Sequence, residues 1–175
     1  MEKGSKNVKN FSYSSFRLRY ASFETRLVYS LFLFFILAGL ATTGAFQYGR
    51  IGFSYQRITA YYLGGEIQGQ MFFPKNTTAL LEETHFHTFM MSVVFLILAH
   101  LFLATSLGQG AKLFFISTTF LSHMIDMGST WLIRLYSPIF AYFLLASWIG
   151  LWIGYGGMLL IPLYEMWLAP RSSAV

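Results

Sequence analysis

Four long apolar stretches, almost free of charge, constrain this chain more than any other feature of its sequence. Charged residues bound them as follows: Arg26 to Arg50, Glu83 to Lys112, Lys112 to Arg134, and Arg134 to Glu165. Because about 20 mostly apolar residues in helical form cross a bilayer, each stretch is long enough to do so. Only 11% of the 175 residues are charged, against roughly 25% in soluble domains. The sequence therefore predicts an all-α integral membrane protein, a bundle of four transmembrane helices.

The apolar stretches divide the chain into three parts. A basic cytoplasmic N-terminal arm is expected over 1–25, a transmembrane domain over 26–168 and a cytoplasmic tail over 169–175. The predicted helices and the outer loop occupy about 27–49, 50–78 (the loop), 79–107, 112–134 and 137–165. Gly108-Gln109-Gly110 predicts a tight inner turn, so that the second and third helices should be antiparallel neighbours.

The outer loop carries its own helical pattern. Ile51, Tyr55, Ile58 and Tyr62 recur at helical spacing until Gly64-Gly65 interrupts them. This spacing predicts a short amphipathic helix that lies at the membrane interface.

The distribution of lysine and arginine predicts the orientation, since cytoplasmic flanks collect these residues. Eight of the 12 are expected inside, and four are expected outside: Arg50, Arg57, Lys75 and Arg134. Both termini should therefore face the cytoplasm, in a multi-pass membrane protein. We interpret the net charge of +5 as this topology signal and expect no nucleic-acid partner. The chain has no cysteine, which excludes disulfides, iron–sulfur clusters and covalently attached c-type haem.

All four histidines fall in the second and third predicted helices. At about 1.5 Å per residue, His100 lies roughly 12 Å above the inner turn, and His123 lies roughly 16 Å above Lys112 on the neighbouring helix. Two imidazoles at one depth on adjacent helices are typical of bis-histidine haem, so that His100 and His123 are candidate ligands of a haem b iron. Hydrogen bonding between helices and ligation of a chlorophyll magnesium are the alternatives.

The remaining two histidines lie near the outer boundary of the membrane. His85 precedes His100 by 15 residues, which leaves the two about 60° apart around the helix, whereas His87 comes out about 140° from His100. The spacing favours His85 over His87 for a second cofactor. Either could instead meet an external cytochrome or lie as a solvated surface group.

These histidines resemble those of membrane cytochromes b, in which one helix carries two axial histidines 14 or 15 residues apart. The chain departs from that pattern because His123 is the single histidine of its third helix. A second haem would thus need methionine, another residue type or a ligand from another subunit. The segment Leu80-Leu81-Glu82-Glu83-Thr84-His85-Phe86-His87, with Ala99-His100-Leu101, also resembles small four-helix bacterial inner-membrane cytochrome b-like proteins that occur with c-type cytochromes. That resemblance implies a part in quinone–cytochrome electron transfer.

Asp126 is the one acidic residue inside the predicted helices' apolar spans. It lies one turn from His123 on the same face, where it could accept a proton during quinol oxidation or hydrogen-bond a haem ligand. It could equally form a structural pair with Arg134, or be kept neutral by burial.

The leading hypothesis is a cytochrome b-like subunit that carries electrons between the quinone pool and a periplasmic c-type cytochrome. It would hold one haem b, with a second haem and a quinone as further cofactors, and would work with other membrane subunits in the bilayer. Having almost no mass outside the membrane, the chain is not expected to be a complete enzyme alone. The alternatives are a cofactor-free scaffold subunit and a pigment-binding subunit of a photosynthetic complex.

Overall fold

The computed structural model describes residues 16–170, and this part of the chain is mostly helical. A 3-10 turn at Leu18–Tyr20 precedes five α-helices and one two-stranded hairpin. The elements are α1 Phe23–Phe46, α2 Tyr55–Leu63, β1 Gly65–Ile67, β2 Gln70–Phe72, α3 Thr77–Leu103, α4 Gln109–Leu135 and α5 Phe140–Trp167. The predicted N-terminal arm (up to residue 15) and the last five residues of the predicted tail lie outside the described residues.

Different hydrogen bonds join the segments at the two ends of the helical domain. At the inner end, the backbone N–H of Leu18 donates to the Ala104 carbonyl at 3.1 Å, and the Glu165 carboxylate accepts from the Ser106 backbone N–H at 2.6 and 2.9 Å. At the outer end, the Lys75 N–H donates to the Tyr62 carbonyl, which joins α2 to the start of α3. The names follow the orientation predicted from the positive charges.

Polar caps and glycines set several helix limits. Ser22 caps α1, and the Asn76 side chain accepts from the Thr78 N–H at 2.8 Å to cap α3, because the first N–H groups of a helix have no partner within it. At its other end, α1 continues through a π-helical turn, Gln47–Ile51, until Gly52 adopts a φ of 77°. The short helix predicted in the outer loop is present as α2 and ends at Gly64, with a φ of 83°.

Several sequence-based limits differ from the structure. α3 ends at Leu103, four residues before the predicted limit, and Gly110 lies within α4 instead of in the turn. α5 begins at Phe140, three residues late, because the turn around Pro138 precedes it. The β1–β2 hairpin was not predicted at all. Its two-residue turn has positive φ at both Gln68 (52°) and Gly69 (77°), the backbone that favours tight hairpins.

Within residues 16–170, three helices are long and apolar enough to cross a membrane: α1 with its π-helical turn (Phe23–Ile51), α3 and α5. Large apolar side chains are exposed along all three, as expected where lipid and not water surrounds them. The chain is therefore a multi-pass membrane protein. α4 has 27 residues, enough to span, but it carries a polar stripe, and its crossing remains a prediction.

α4 contacts α3, its predicted neighbour, through the Trp131 indole N–H that donates to the Thr84 hydroxyl at 2.9 Å, but it packs most closely against α5. Glycines on α5 allow this approach, since a Cβ at each would collide with α4: Gly150 with Ser122, Gly154 with Thr119, and Gly157 with Phe115. The Thr119 hydroxyl also donates to the Met158 sulfur at 3.4 Å. Gly150 and Gly154, four residues apart on one face of α5, therefore let α4 approach closely, and this contact decides what the polar side chains of α4 face.

Gly154→Ala should destabilise the protein, because its methyl group must push α4 away at the Thr119 backbone. We expect a loss of about 1–3 kcal/mol in the free energy of unfolding, typical of overpacking, measured by SDS titration in mixed micelles. Gly156→Ala is the matched control, since a Cβ there meets nothing within 4 Å. Equal destabilisation by both variants would contradict the glycine contact.

Candidate functional site

A small cavity of about 120 Å³ lies among α1, α3, α4 and α5. We call it the central cavity. Its polar lining includes His87 from α3 together with His123 and Asp126 from α4. Much of the remainder is apolar or aromatic, including Trp148 and Trp152 of α5. The structure thus brings together three of the five side chains that the sequence singled out, from two helices, at one site.

His123 is held by a tyrosine of α5. Its Nε2 lies 2.5 Å from the Tyr155 hydroxyl, and the two rings meet edge to face with centroids 5.4 Å apart. Depending on the histidine tautomer, either group donates this hydrogen bond. Tyr155 is itself almost fully buried, at 2% exposure, so that the imidazole is fixed in position against α5.

Asp126 is also held by α5. Its Oδ1 accepts a hydrogen bond from the Trp148 indole N–H at 2.9 Å. The structural pair with Arg134 considered from the sequence does not form, because the Arg134 Nε donates to the Lys75 carbonyl at 3.0 Å. Asp126 therefore faces the central cavity with a neutral donor as its neighbour.

His87 completes the polar part of the central cavity. Its Nδ1 lies 2.8 Å from the Glu83 carbonyl oxygen one turn earlier, a contact that places the ring proton on Nδ1 and leaves Nε2 as the acceptor. The angular spacing around the helix favoured His85 over His87, but His85 does not line the central cavity. It packs against Phe89, with 5.1 Å between the ring centroids.

A second space, of about 270 Å³, adjoins the central cavity on the outer side. We call it the outer cavity; His87, Asp126 and Trp148 line both spaces. At its outer margin the Lys75 ammonium bonds the Glu83 carboxylate at 2.5 Å and the Tyr61 hydroxyl at 3.2 Å. Nearby, burial raises the pKa of the Tyr62 phenol above its usual range, so that this group remains neutral.

His100 lies elsewhere. It lines a groove of about 740 Å³ between α1 and α3 near the inner end, the α1–α3 groove, with its Nδ1 3.1 Å from the Leu96 carbonyl oxygen. His123 lines the central cavity instead, because α4 faces α5. Within one chain, no described cavity is lined by both His100 and His123.

One chain thus offers His100 and His123 to different described cavities, and a haem b shared by this pair stays a prediction. Among residues 16–170, no three His, Cys, Asp or Glu side chains are grouped as a metal site.

Sequence reasoning missed both α5 partners of this site. Trp148 and Tyr155 are seven residues apart, two turns, and so lie on the same face of α5. The signal was available: each is an aromatic residue with a polar tip, at membrane depth, on a helix with no charge between Arg134 and Glu165. Buried tyrosine and tryptophan usually bond a polar partner, and α4 offers His123 and Asp126.

The comparisons with known proteins address the fold and not the chemistry. Residues 52–173, which include α2 to α5, match a family model described as a transmembrane helical domain. No curated protein and no solved structure matches the chain.

Asp126→Leu should destabilise the chain by about 1–3 kcal/mol, because it leaves the buried Trp148 indole N–H without an acceptor. Asp126→Asn keeps a side-chain oxygen at the same place and should cost less than half as much. The measurement is the free energy of unfolding in mixed micelles. If the leucine and asparagine variants were equally stable, the Trp148 contact would not hold this site together.

Proposed function

We propose, on the premise that the chain belongs to the transmembrane helical domain family matched by its residues 52–173, that it is a membrane electron-transfer subunit. In this proposal the central cavity holds the head group of a quinol. Electrons leave to a c-type cytochrome or another one-electron carrier of a larger complex, and the protons leave through the outer cavity.

One observation carries the proposal: an aspartate and two histidines line one small, otherwise largely apolar cavity. Oxidation of a quinol to a quinone releases two electrons and two protons, so that the site needs hydrogen-bond acceptors at the two hydroxyl groups. His123 and Asp126 can both accept protons, and α5 holds each through Tyr155 and Trp148. Polar groups at membrane depth are costly and tend to mark such sites.

The outer cavity supports the direction of proton release. It continues from His87 and Asp126 toward Glu83, whose side chain is 48% exposed. The Nε2 of His87 is free to accept a proton, and its Nδ1 contacts the Glu83 carbonyl oxygen. Protons from the quinol would thus pass from Asp126 to His87 and then to the outer surface near the Lys75–Glu83 ion pair.

The quinone proposal can be tested through the tryptophans of the central cavity. Quinones quench indole fluorescence, and Trp148 and Trp152 line the site. We expect saturable quenching when decylubiquinone or menadione is added to the protein in lipid nanodiscs. Decylubiquinol should relieve this quenching by competing for the site. Asp126→Asn and His123→Gln should each weaken that competition about tenfold, because the quinol hydroxyl loses an acceptor worth about 1.4 kcal/mol.

Glu66→Gln is the matched control for this titration, since it also changes an acid to its amide but lies exposed on β1 at the outer end. It should bind both quinones and decylubiquinol as the unaltered protein does. Quenching that does not saturate, or quinol competition that is the same in all variants, would favour the cofactor-free scaffold subunit over a quinone site.

The haem prediction has its own measurement. A pyridine haemochrome assay and a dithionite-reduced minus oxidised spectrum of the native complex count b haem per chain. Loss of the haem α-band in both His100→Ala and His123→Ala would support the predicted pair, with a second chain closing the distance between their cavities. A far-red band would identify a pigment-binding subunit. With neither band assigned to this chain, a quinone site would have to pass electrons directly to a partner's cofactor.

A further inference from the structure

Cationic side chains gather at the inner end, where the N-terminal segment crosses the end of α3. The Arg26 Nη2 donates to the Arg19 carbonyl at 3.3 Å, which joins the start of α1 to the 3-10 turn. The Lys112 ammonium donates to the Leu103 carbonyl at 2.7 Å. Arg17 precedes the turn, whose Leu18 bonds Ala104. Four cations from three parts of the chain thus lie around the end of one helix.

The two arginines on this cluster's α1 side have polar atoms with no partner. Arg26 is only 6% exposed, and the Nε atoms of both Arg19 and Arg26 are buried without a hydrogen-bond acceptor among residues 16–170. The one ion pair found among residues 16–170 joins Lys75 to Glu83 and lies at the opposite, outer end of the domain. A buried guanidinium at a membrane boundary is costly unless an anion compensates it.

The carboxylates at the inner end do not supply that anion. Glu165 directs both of its oxygens to Ser106, whose hydroxyl and backbone N–H donate to it. Glu24 is exposed and forms no ion pair within 4.0 Å with any residue of 16–170. The cluster therefore lacks an anionic partner within the described part of the chain.

The α1–α3 groove begins beside this cluster. Leu103 and Ala104, whose carbonyls receive Lys112 and Leu18, line its inner end. Further along, its walls are apolar apart from His100 and Tyr29, and include Val28, Phe32, Leu96 and Ile97. The cationic cluster thus lies at one end of an apolar groove of about 740 Å³. This combination matches a lipid with an anionic head group.

We propose that this site binds an anionic phospholipid. Its phosphate lies against Arg19 and Arg26, with Lys112 adding positive charge, and one acyl chain lies in the α1–α3 groove. A guanidinium presents a planar set of N–H donors that matches phosphate oxygens, and basic clusters at a membrane boundary attract anionic lipids. The acyl chain fills the space between α1 and α3, so that the lipid fastens α1, the least buried of the three apolar helices, to the domain.

The test compares lipids on the purified, delipidated full chain in detergent micelles. Dioleoylphosphatidylglycerol should bind at least about tenfold more tightly than dioleoylphosphatidylcholine, as measured by native mass spectrometry. Arg19→Gln and Arg26→Gln should each lower that preference about fivefold, the factor for roughly one charge near the surface. Arg50→Gln is the matched control: it removes the same charge from the opposite end of the same extended helix, where Arg50 is exposed over the Phe46 ring.

A lipid and a free phosphate ion are separated by a variant that fills the groove and keeps every charge. Ile97→Trp should weaken phosphatidylglycerol binding and leave the response to sodium phosphate unchanged. If Ile97→Trp has no effect and millimolar phosphate displaces the lipid, the cluster is an anion site and the proposal is wrong.

Two further results would overturn the proposal: equal binding of the two lipids, or a b-type haem lost in His100→Ala, which would place a different occupant in the groove. Should Arg26→Gln fail to fold, the double variant Arg19→Gln/Lys112→Gln answers the same question, since it retains the buried Arg26. Unchanged lipid preference in that double variant would also contradict the site.

Discussion

The close contact between α4 and α5 is the interaction on which the rest of the structure depends. Glycines on α5 bring the two backbones together, and this approach turns the polar face of α4 toward a helix that has no charge along most of its length. Two aromatic side chains of α5 form hydrogen bonds to this face: Tyr155 with His123, and Trp148 with Asp126. Such a pairing satisfies polar groups in an apolar setting without adding a second charge. It leaves one side of each group directed to a cavity, where chemistry can take place.

The sequence predicted the membrane class, the short helix of the outer loop and most helix limits within a few residues, because runs without charge and N-capping side chains are local signals. The relation between His100 and His123 was a different kind of inference. It took their depths from residue counts and the adjacency of their helices from the shortness of the turn between them. A short turn brings helices near each other at one end, but side-chain packing sets their rotation. Here α4 packs more closely against α5 than against α3, because Gly150, Gly154 and Gly157 leave room on α5 for the α4 side chains.

The same packing explains how the chain's functional candidates separate into two regions. The central and outer cavities gather titratable groups in the outer part of the domain, whereas the α1–α3 groove lies at the inner end with a single histidine. α1 borders both regions, yet little of it is buried. A helix that contacts its neighbours so lightly leaves room on both sides for apolar or amphipathic molecules. The α4–α5 pair is the most closely packed part of the domain, and α1 forms a wall of the groove and of both cavities.

The polar stripe of α4 also bears on how the chain is made. During synthesis, segments reach the translocon in order, and α4 arrives before α5. An aspartate at the centre of a helix costs about 2.5–3.5 kcal/mol on insertion scales, and on emerging α4 also presents His123, Ser122 and Thr119 without their α5 partners. Once α5 has been synthesised, its glycine face and two aromatic tips can cover these groups. α4 and α5 would then partition into the bilayer together, as one helical hairpin, after α1 and α3 have already entered singly.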